Sequence, residues 1–239
     1  RRSSDLTDPC SVYKGRQDPN QYDVGMTLDF GETYYWRVDQ VSGPPGFAIH
    51  KGNVWQFTAE PVGYPIPGST IIATASSFFL DGTRPEKTID GSGLDGDLHS
   101  TDMEDMWLSN FGGPQPSWIE YQFDKVYKLH EMWVWNQNQV VESGIGYGFR
   151  GVSIEYSVDG IGYTTLGTTH EFTKAPASPD YAHNTTVDLS GVTAKYVRLT
   201  ANSNWNLGGW LSQYGLSKVR FYYIPVWARE PYPVDGAMD

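Results

Sequence analysis

Residues 118–137 read WIEYQFDKVYKLHEMWVWNQ. WIEYQF at 118–123 alternates in the manner of a half-buried strand, and HEMWVWNQ at 130–137 is more continuously apolar, as a central sandwich strand can be. Working outward, STIIATASS (69–77), VSIEYSVDG (152–160), TTVDL (185–189), KYVRLTA (195–201) and KVRFYYI (218–224) have strand length and turn-forming neighbours. No stretch between them offers a helix of three turns. The expected fold is all-β, an antiparallel sandwich whose end loops carry the function.

Composition points the same way. With 26 Gly, 15 Pro, 15% aromatic and 19% charged residues among 239, short strands and tight turns are favoured over long amphipathic helices. The length allows one large domain or two small ones. A net charge of -11 argues against nucleic acid and anionic membrane as partners, because phosphate binding relies on basic patches. No run has the length of a membrane span and nothing reads as a signal peptide. The chain begins at Arg1 without Met, so a processed or excised piece of a longer protein is expected. Cys10 stands alone and is neutral about compartment.

The stretch EKTIDGSGLDGDLHSTDMEDMW (86–107) crowds Asp90, Asp95, Asp97, Asp102, Glu104 and Asp105 among glycines and hydroxyls. A folded loop tolerates that charge poorly unless a cation or much water neutralises it. Calcium takes about six to eight oxygens at about 2.3 to 2.6 Å; Asp90, Asp95, Asp97, Ser100 and Thr101 offer them, with Gly91, Gly93 and Gly96 to bend the backbone. The spacing is not the helix-loop-helix calcium pattern, so a site here belongs to a β-protein loop. A solvated acidic loop is the alternative.

Toward the N-terminus, residues 1–24 are polar and turn-rich, and then GETYYWRVDQV (31–41) and NVWQFTAEP (53–61) form a hairpin-like pair of strands. The pair resembles the last strands of a fibronectin type III-like sandwich, about half of such a domain. A lone hairpin is marginal in water, so Trp36 and Trp55 need a covering partner. The expected organisation is a partial fibronectin-like segment at 1–62, a stiff linker at 63–68 within PVGYPIPG, a sandwich domain at 69–224, and a Pro-rich tail at 225–239 that looks like the opening of another domain.

ATASS (73–77), TIDGSGLDGDLHS (88–100) with Trp107, PSWIEYQFDKVYKLHEMWVW (116–135), VSIEYSVDGIGYTTLG (152–167), and KYVRLTAN (195–202) with LSKVRFYYI (216–224) occur in an order that resembles the coagulation-factor type C, or discoidin, domain. Its bacterial relatives are the family 32 carbohydrate-binding modules. The resemblance covers about Thr70 to Ile224. It implies a galactose-binding-like jelly roll that binds glycan without catalysis, and a structural calcium. The calcium set maps onto the Lys87 carbonyl, Asp90, Asp95 or Asp97, Thr101 or Ser100, and the residues before the last strand. There many relatives have Ser-Glu and this chain has Ser217-Lys218. Lysine cannot ligate, so the site is weaker, or another carboxylate of the 95–105 run compensates, or Lys218 itself is the counter-charge.

In such modules the sugar loops combine an aromatic platform with planar polar groups, because a pyranose has an apolar face and hydrogen-bonding hydroxyls. Three loops have that composition. One supplies Trp135, Asn136, Gln137, Asn138, Gln139, Glu142 and Arg150; a second supplies Asn202, Asn204, Trp205, Asn206, Trp210 and Gln213; a third supplies Phe78, Phe79, Asp81 and Arg84. The second is the most suggestive, since Trp205 and Trp210 lie among asparagines and a Gly-Gly pair.

Each feature has an ordinary alternative. Trp107, Trp118 and Trp133 are expected in the core; Trp205 and Trp210 could plug the barrel end; the Asn and Gln side chains could cap turns. Phe78-Phe79-Leu80 resembles a membrane spike, yet no basic ring surrounds it. His99, His130, His170 and His183 lack metal-ligand spacing. No GxSxG elbow is present, and although Asp102, Glu104 and Glu142 could be imagined as a glycosidase pair, the chain is small and lacks the barrel or large cleft such enzymes use. The reading is a non-catalytic, extracellular or cell-surface module that binds glycan at loops 135–150 and 202–214. The alternative is a structural or adhesive repeat that assembles with neighbouring domains or copies of itself.

Overall fold

A computed structural model describes residues 14–17, 19, 21–22, 28–29, 31–59, 62–206 and 208–225. Cys10 and nearly all of the Pro-rich tail lie outside the described residues. The chain divides into two units, residues 1–62 and 63–239.

In the first unit the described strands are β1 (Thr33–Trp36), β2 (Gln40–Val41), β3 (Ile49–His50) and β4 (Trp55–Thr58). β1 and β4 pair antiparallel, with Tyr34 opposite Phe57 and Trp36 opposite Trp55. Both pairs stack, with ring centroids 5.7 and 6.1 Å apart. Positions two apart share a sheet face, so the four rings form one aromatic ladder of the kind that holds a two-stranded pair together.

The second unit carries β5 (Tyr64–Pro65), β6 (Ile71–Ala75), β7 (Leu94–Asp95), β8 (Leu98–His99), β9 (Trp107–Leu108), β10 (Trp118–Asn136), β11 (Gly151–Ser157), β12 (Thr164–Thr165), β13 (His170–Glu171), β14 (Tyr181–Ala182), β15 (Thr185–Asp188), β16 (Thr193–Ala201) and β17 (Gly215–Tyr223). One layer runs β11, β16, the first half of β10, then β6, with β12 and β13 on the free side of β11. The other runs β15, the second half of β10, then β17, with β5 and β9 on its far side. Every one of these ladders is antiparallel, and the fold is the expected all-β sandwich.

The strands expected at 118–123 and 130–137 are halves of a single strand of 19 residues. Its pairing shifts register between Gln122 and Tyr127 and again between Leu129 and Met132. Asp124, Lys125 and Val126 are exposed at this corner, and Asp124 accepts the Tyr127 hydroxyl at 2.9 Å. The polar residues mark a bend that carries the chain from one sheet into the other.

This strand lines both sides of the core. Ile119, Tyr121 and Phe123 from its first half and Leu129, Met132 and Val134 from its second are fully buried, against Val152, Ile154, Val197, Leu199 and Phe221. Phe221 meets Tyr121 at 5.2 Å and Phe123 at 5.1 Å, edge to face. Each such side chain contributes about 1.5 to 3 kcal/mol through removal of apolar surface from water. The Tyr121 hydroxyl donates to Thr88 Oγ1 at 3.1 Å and so ties the short 3-10 turn Pro85–Thr88 to the core.

The linker expected at 63–68 is part of this domain. Tyr64 and Pro65 pair with Tyr223 and Tyr222, the Ile66 amide donates to the Phe221 carbonyl at 2.8 Å, and Ile66 is 3% exposed. Proline lacks an N–H for the ladder, which excludes it from central strands but not from a sheet edge.

Candidate functional site

The strand registers gather the important loops at one end. Ala75 faces Ile119, Trp118 faces Thr200, Asn136 faces Leu216, and Phe149 bridges to Asn204. The loops 76–84, 109–117, 137–150 and 202–214 therefore emerge together.

The first candidate loop is internal scaffold. Trp135 is fully buried and its indole N–H donates to the Asp97 carbonyl at 3.0 Å. Asn136 donates to the carbonyls of Phe149 (2.7 Å) and Thr173 (2.9 Å), and Asn138 to those of Ser100 (2.9 Å) and Ser178 (2.8 Å). Glu142 accepts the amides of Tyr147 at 2.8 Å and Gly148 at 3.0 Å. Asn136, Asn138 and Glu142 are all 0% exposed, which corrects the expectation that they meet a ligand. They replace water for loop carbonyls and amides that have no ladder partner. Burial pushes the Glu142 carboxyl up to about 7 even though two amides favour its charged form. Gly148 has no side chain for a reason, since a Cβ there would lie 2.8 Å from Asn136 Oδ1.

The second loop splits its residues between frame and surface. Asn204 donates to the carbonyls of Leu211 and Gln213, and the buried Gln213 donates to the Ser109 carbonyl at 3.0 Å. Both are frame. Trp205 is half-buried; its N–H donates to the Phe172 carbonyl at 3.0 Å, and the Arg150 guanidinium lies 4.7 Å over its ring, with Glu171 3.9 Å from Arg150. Asn202 is at the surface, donating to Ser153 Oγ at 2.9 Å. Trp210, reached through Gly209 at φ 64, is 69% exposed. The two tryptophans thus differ in placement, Trp205 held against the frame and Trp210 in solvent.

The third loop adds Phe78, Phe79 and Leu80, which are 37 to 46% exposed, with Arg84 over the Phe78 ring at 4.4 Å and paired to Asp81 at 2.7 Å. Ser77 fixes it, its carbonyl accepting the buried Trp107 indole and its hydroxyl the Asn110 amide, each at 3.0 Å. Sequence reasoning missed Phe111, 62% exposed in SNFGGPQPS. The Gln115 amide donates to the Ser212 carbonyl at 2.9 Å and links that loop to the one bearing Trp210. An aromatic residue among Gly, Pro and Asn without strand alternation was the available signal, the same one that marked Trp210. Phe78, Phe79, Phe111 and Trp210 give this end solvent-facing rings on three adjoining loops. A shallow groove of about 310 Å³ beside Ser69, Ile72, Asp124 and Lys195 lies at the other end of β6 and has no such rings beyond Phe123, which is buried.

The acidic loop is arranged differently from the expected calcium site. The Lys87 carbonyl accepts Lys218 Nζ at 2.9 Å, and Asp90 Oδ1 lies 3.6 Å from the same nitrogen. Asp97 turns away to Arg220 at 2.6 Å, and Asp95 is exposed. Ser217 Oγ accepts the Asn138 amide at 3.1 Å, and Ser100 Oγ donates to Asp105 at 2.7 Å. Thr101 is half-buried beside them in sequence. Among the described residues no group of three or more His, Cys, Asp or Glu is placed to hold a metal ion. Asp102 accepts the Glu104 amide as a cap and Glu142 is enclosed, so these carboxylates do not face each other across a cleft.

The F5/8 type C domain matches residues 72–215, more than half of the chain, and the chain belongs to that family. No curated protein matches it. Among solved structures, CpGH89CBM32-5 from Clostridium perfringens, in complex with GalNAc-beta-1,3-galactose, is 15% identical, with 66% of this chain and 99% of that one covered and a TM-score of 0.50. The family 32 module of NanJ from C. perfringens, in complex with galactose, is 16% identical over 67% of this chain and 99% of its own, with a TM-score of 0.49. A family 89 glycoside hydrolase from C. perfringens is 15% identical over 65% of this chain but only 14% of its own, with a TM-score of 0.44. At these identities the likeness shows the fold alone. Among the described residues no helix is long and apolar enough to cross a membrane.

Proposed function

We propose that the second unit is a carbohydrate-binding module of an extracellular or cell-surface protein, and that it takes glycan at the end carrying Trp210. The observation that carries this reading is the ring of Trp210, 69% exposed on a loop whose Asn204 and Gln213 side chains are occupied in holding its shape. A flat ring in water suits the apolar face of a pyranose, and the side chains of Asn202 and Arg150 at the rim of the same end suit its hydroxyls. Membership of the family supports the class of ligand, and the galactose and GalNAc-galactose in two similar structures suggest the sugars to try first. The experiment is retention on immobilised glycans by the wild-type chain and by Trp210→Ala and Phe111→Ala. Loss of retention in a folded Trp210→Ala protein supports the site, and full retention by both variants removes it.

A second reading rests on the first unit, where Trp36 and Trp55 are 49 and 51% exposed and Val38 and Val54 more so. Such a face suits a segment that completes its sandwich with a neighbouring chain, as the last strands of a fibronectin-like domain in a repeating assembly would. Light scattering distinguishes it: a species larger than the monomer favours assembly, and a monomer at all concentrations counts against it.

A further inference from the structure

The family resemblance leads to calcium at the 86–105 loop, and the residues present do not fit it. We propose that the Lys218 ammonium takes the place of a divalent cation, pinning this acidic loop to β17 without calcium. Lys218 projects from the last strand with its side chain 3% exposed, and its Nζ is 2.9 Å from the Lys87 carbonyl and 3.6 Å from Asp90 Oδ1. Asp105, oriented by Ser100 Oγ at 2.7 Å, adds its field to that of Asp90 at the same nitrogen. One positive charge with N–H donors thus does what a metal would do for the irregular backbone here: it gives a loop carbonyl a partner and offsets neighbouring carboxylates.

Occupancy by lysine and by calcium is mutually exclusive. A calcium bound to the Lys87 carbonyl and Asp90 at about 2.3 to 2.6 Å would fall into the space that Nζ fills, against a like charge in a poorly screened site. Two further oxygens of the expected set are already engaged, Asp97 with Arg220 and Ser217 with the Asn138 amide. Burial pushes the lysine pKa down to about 8, so the ammonium remains the main form at neutral pH. Putting a carboxylate in place of this cation leaves the Lys87 carbonyl, Asp90 and Asp105 without the ammonium that offset them, with the Lys87 side chain still acting on Asp90, and adds one more oxygen ligand of the kind a hard cation takes.

The test is the melting temperature of the full chain in calcium and in chelator, for the wild type, Lys218→Met and Lys218→Glu. The wild type should melt at the same temperature in both, and Lys218→Met lower in both. Lys218→Glu should gain calcium dependence, a rise of about 5 to 10 °C at calcium near one hundred times its dissociation constant. A wild-type melting temperature that falls in chelator overturns the proposal, as does a folded Lys218→Glu protein that ignores calcium. Should Lys218→Glu fail to fold, calorimetric titration of the wild type with calcium decides: no binding supports the proposal, stoichiometric binding contradicts it.

Discussion

The Arg150 guanidinium lies 4.7 Å over the ring of Trp205, while the indole N–H of that ring is held by the Phe172 carbonyl at 3.0 Å. This ring is fixed on one edge and covered on one face, so it closes the end of the sandwich. Trp210, five residues on, has neither constraint among the described residues and is 69% exposed. Trp205→Ala should therefore lower stability by on the order of 2 kcal/mol, whereas Trp210→Ala should change it by less than about 0.5 kcal/mol. Thermal or denaturant unfolding of the two variants checks the difference.

Ile66 tests where the domain begins. It is 3% exposed and its amide continues the edge ladder on β17. Ile66→Ala in the full chain should cost about 2 to 5 kcal/mol, the range for truncating a core side chain. A flexible linker residue would cost almost nothing in the same unfolding measurement.

Glu142 gives the stability a pH dependence of known sign. Its folded carboxyl titrates near 7, raised by burial above the ordinary 4.5. The unfolded chain then ionises first as pH rises, so the stabilisation is fully present below about 4.5, is lost progressively up to about 7, and is level beyond. The loss is on the order of 3 kcal/mol. Glu142→Gln should flatten the curve of unfolding free energy against pH in that window, and an unchanged slope would show that the carboxyl is not shifted.

The hydroxyl of Tyr121 anchors the Pro85–Thr88 turn through Thr88 at 3.1 Å. Tyr121→Phe should cost about 1 kcal/mol, the net value of one buried hydrogen bond. The ring stays against Phe221, so the loss isolates the hydroxyl, and hydrogen exchange should speed up first in residues 85–90.

The sandwich was legible because alternation in segments such as WIEYQF and VSIEYSVDG directly records which face is buried. The continuity of β10 was not, because DKVYK looks the same whether it turns back or crosses between sheets; only pairing partners distant in sequence decide. PVGYPIPG read as a linker because proline excludes a central strand, yet an edge needs no such N–H, as Pro65 shows. Asn136, Asn138 and Glu142 were misread for a related reason. An amide or carboxylate in a glycine-rich loop has the same composition whether it faces a sugar or its own backbone, and only burial separates the two. Trp210 was identified correctly as a loop-borne ring at the surface, and the Ser217-Lys218 departure marked the place where lysine meets the acidic loop.

The central claim is tested most directly by a glycan array probed with the intact chain and with Trp210→Ala side by side. The account predicts binding to galactose- or GalNAc-type sugars by the wild type and its loss in the variant, with both proteins melting at nearly the same temperature. A blank array from the folded wild type, or equal binding by both, would contradict it.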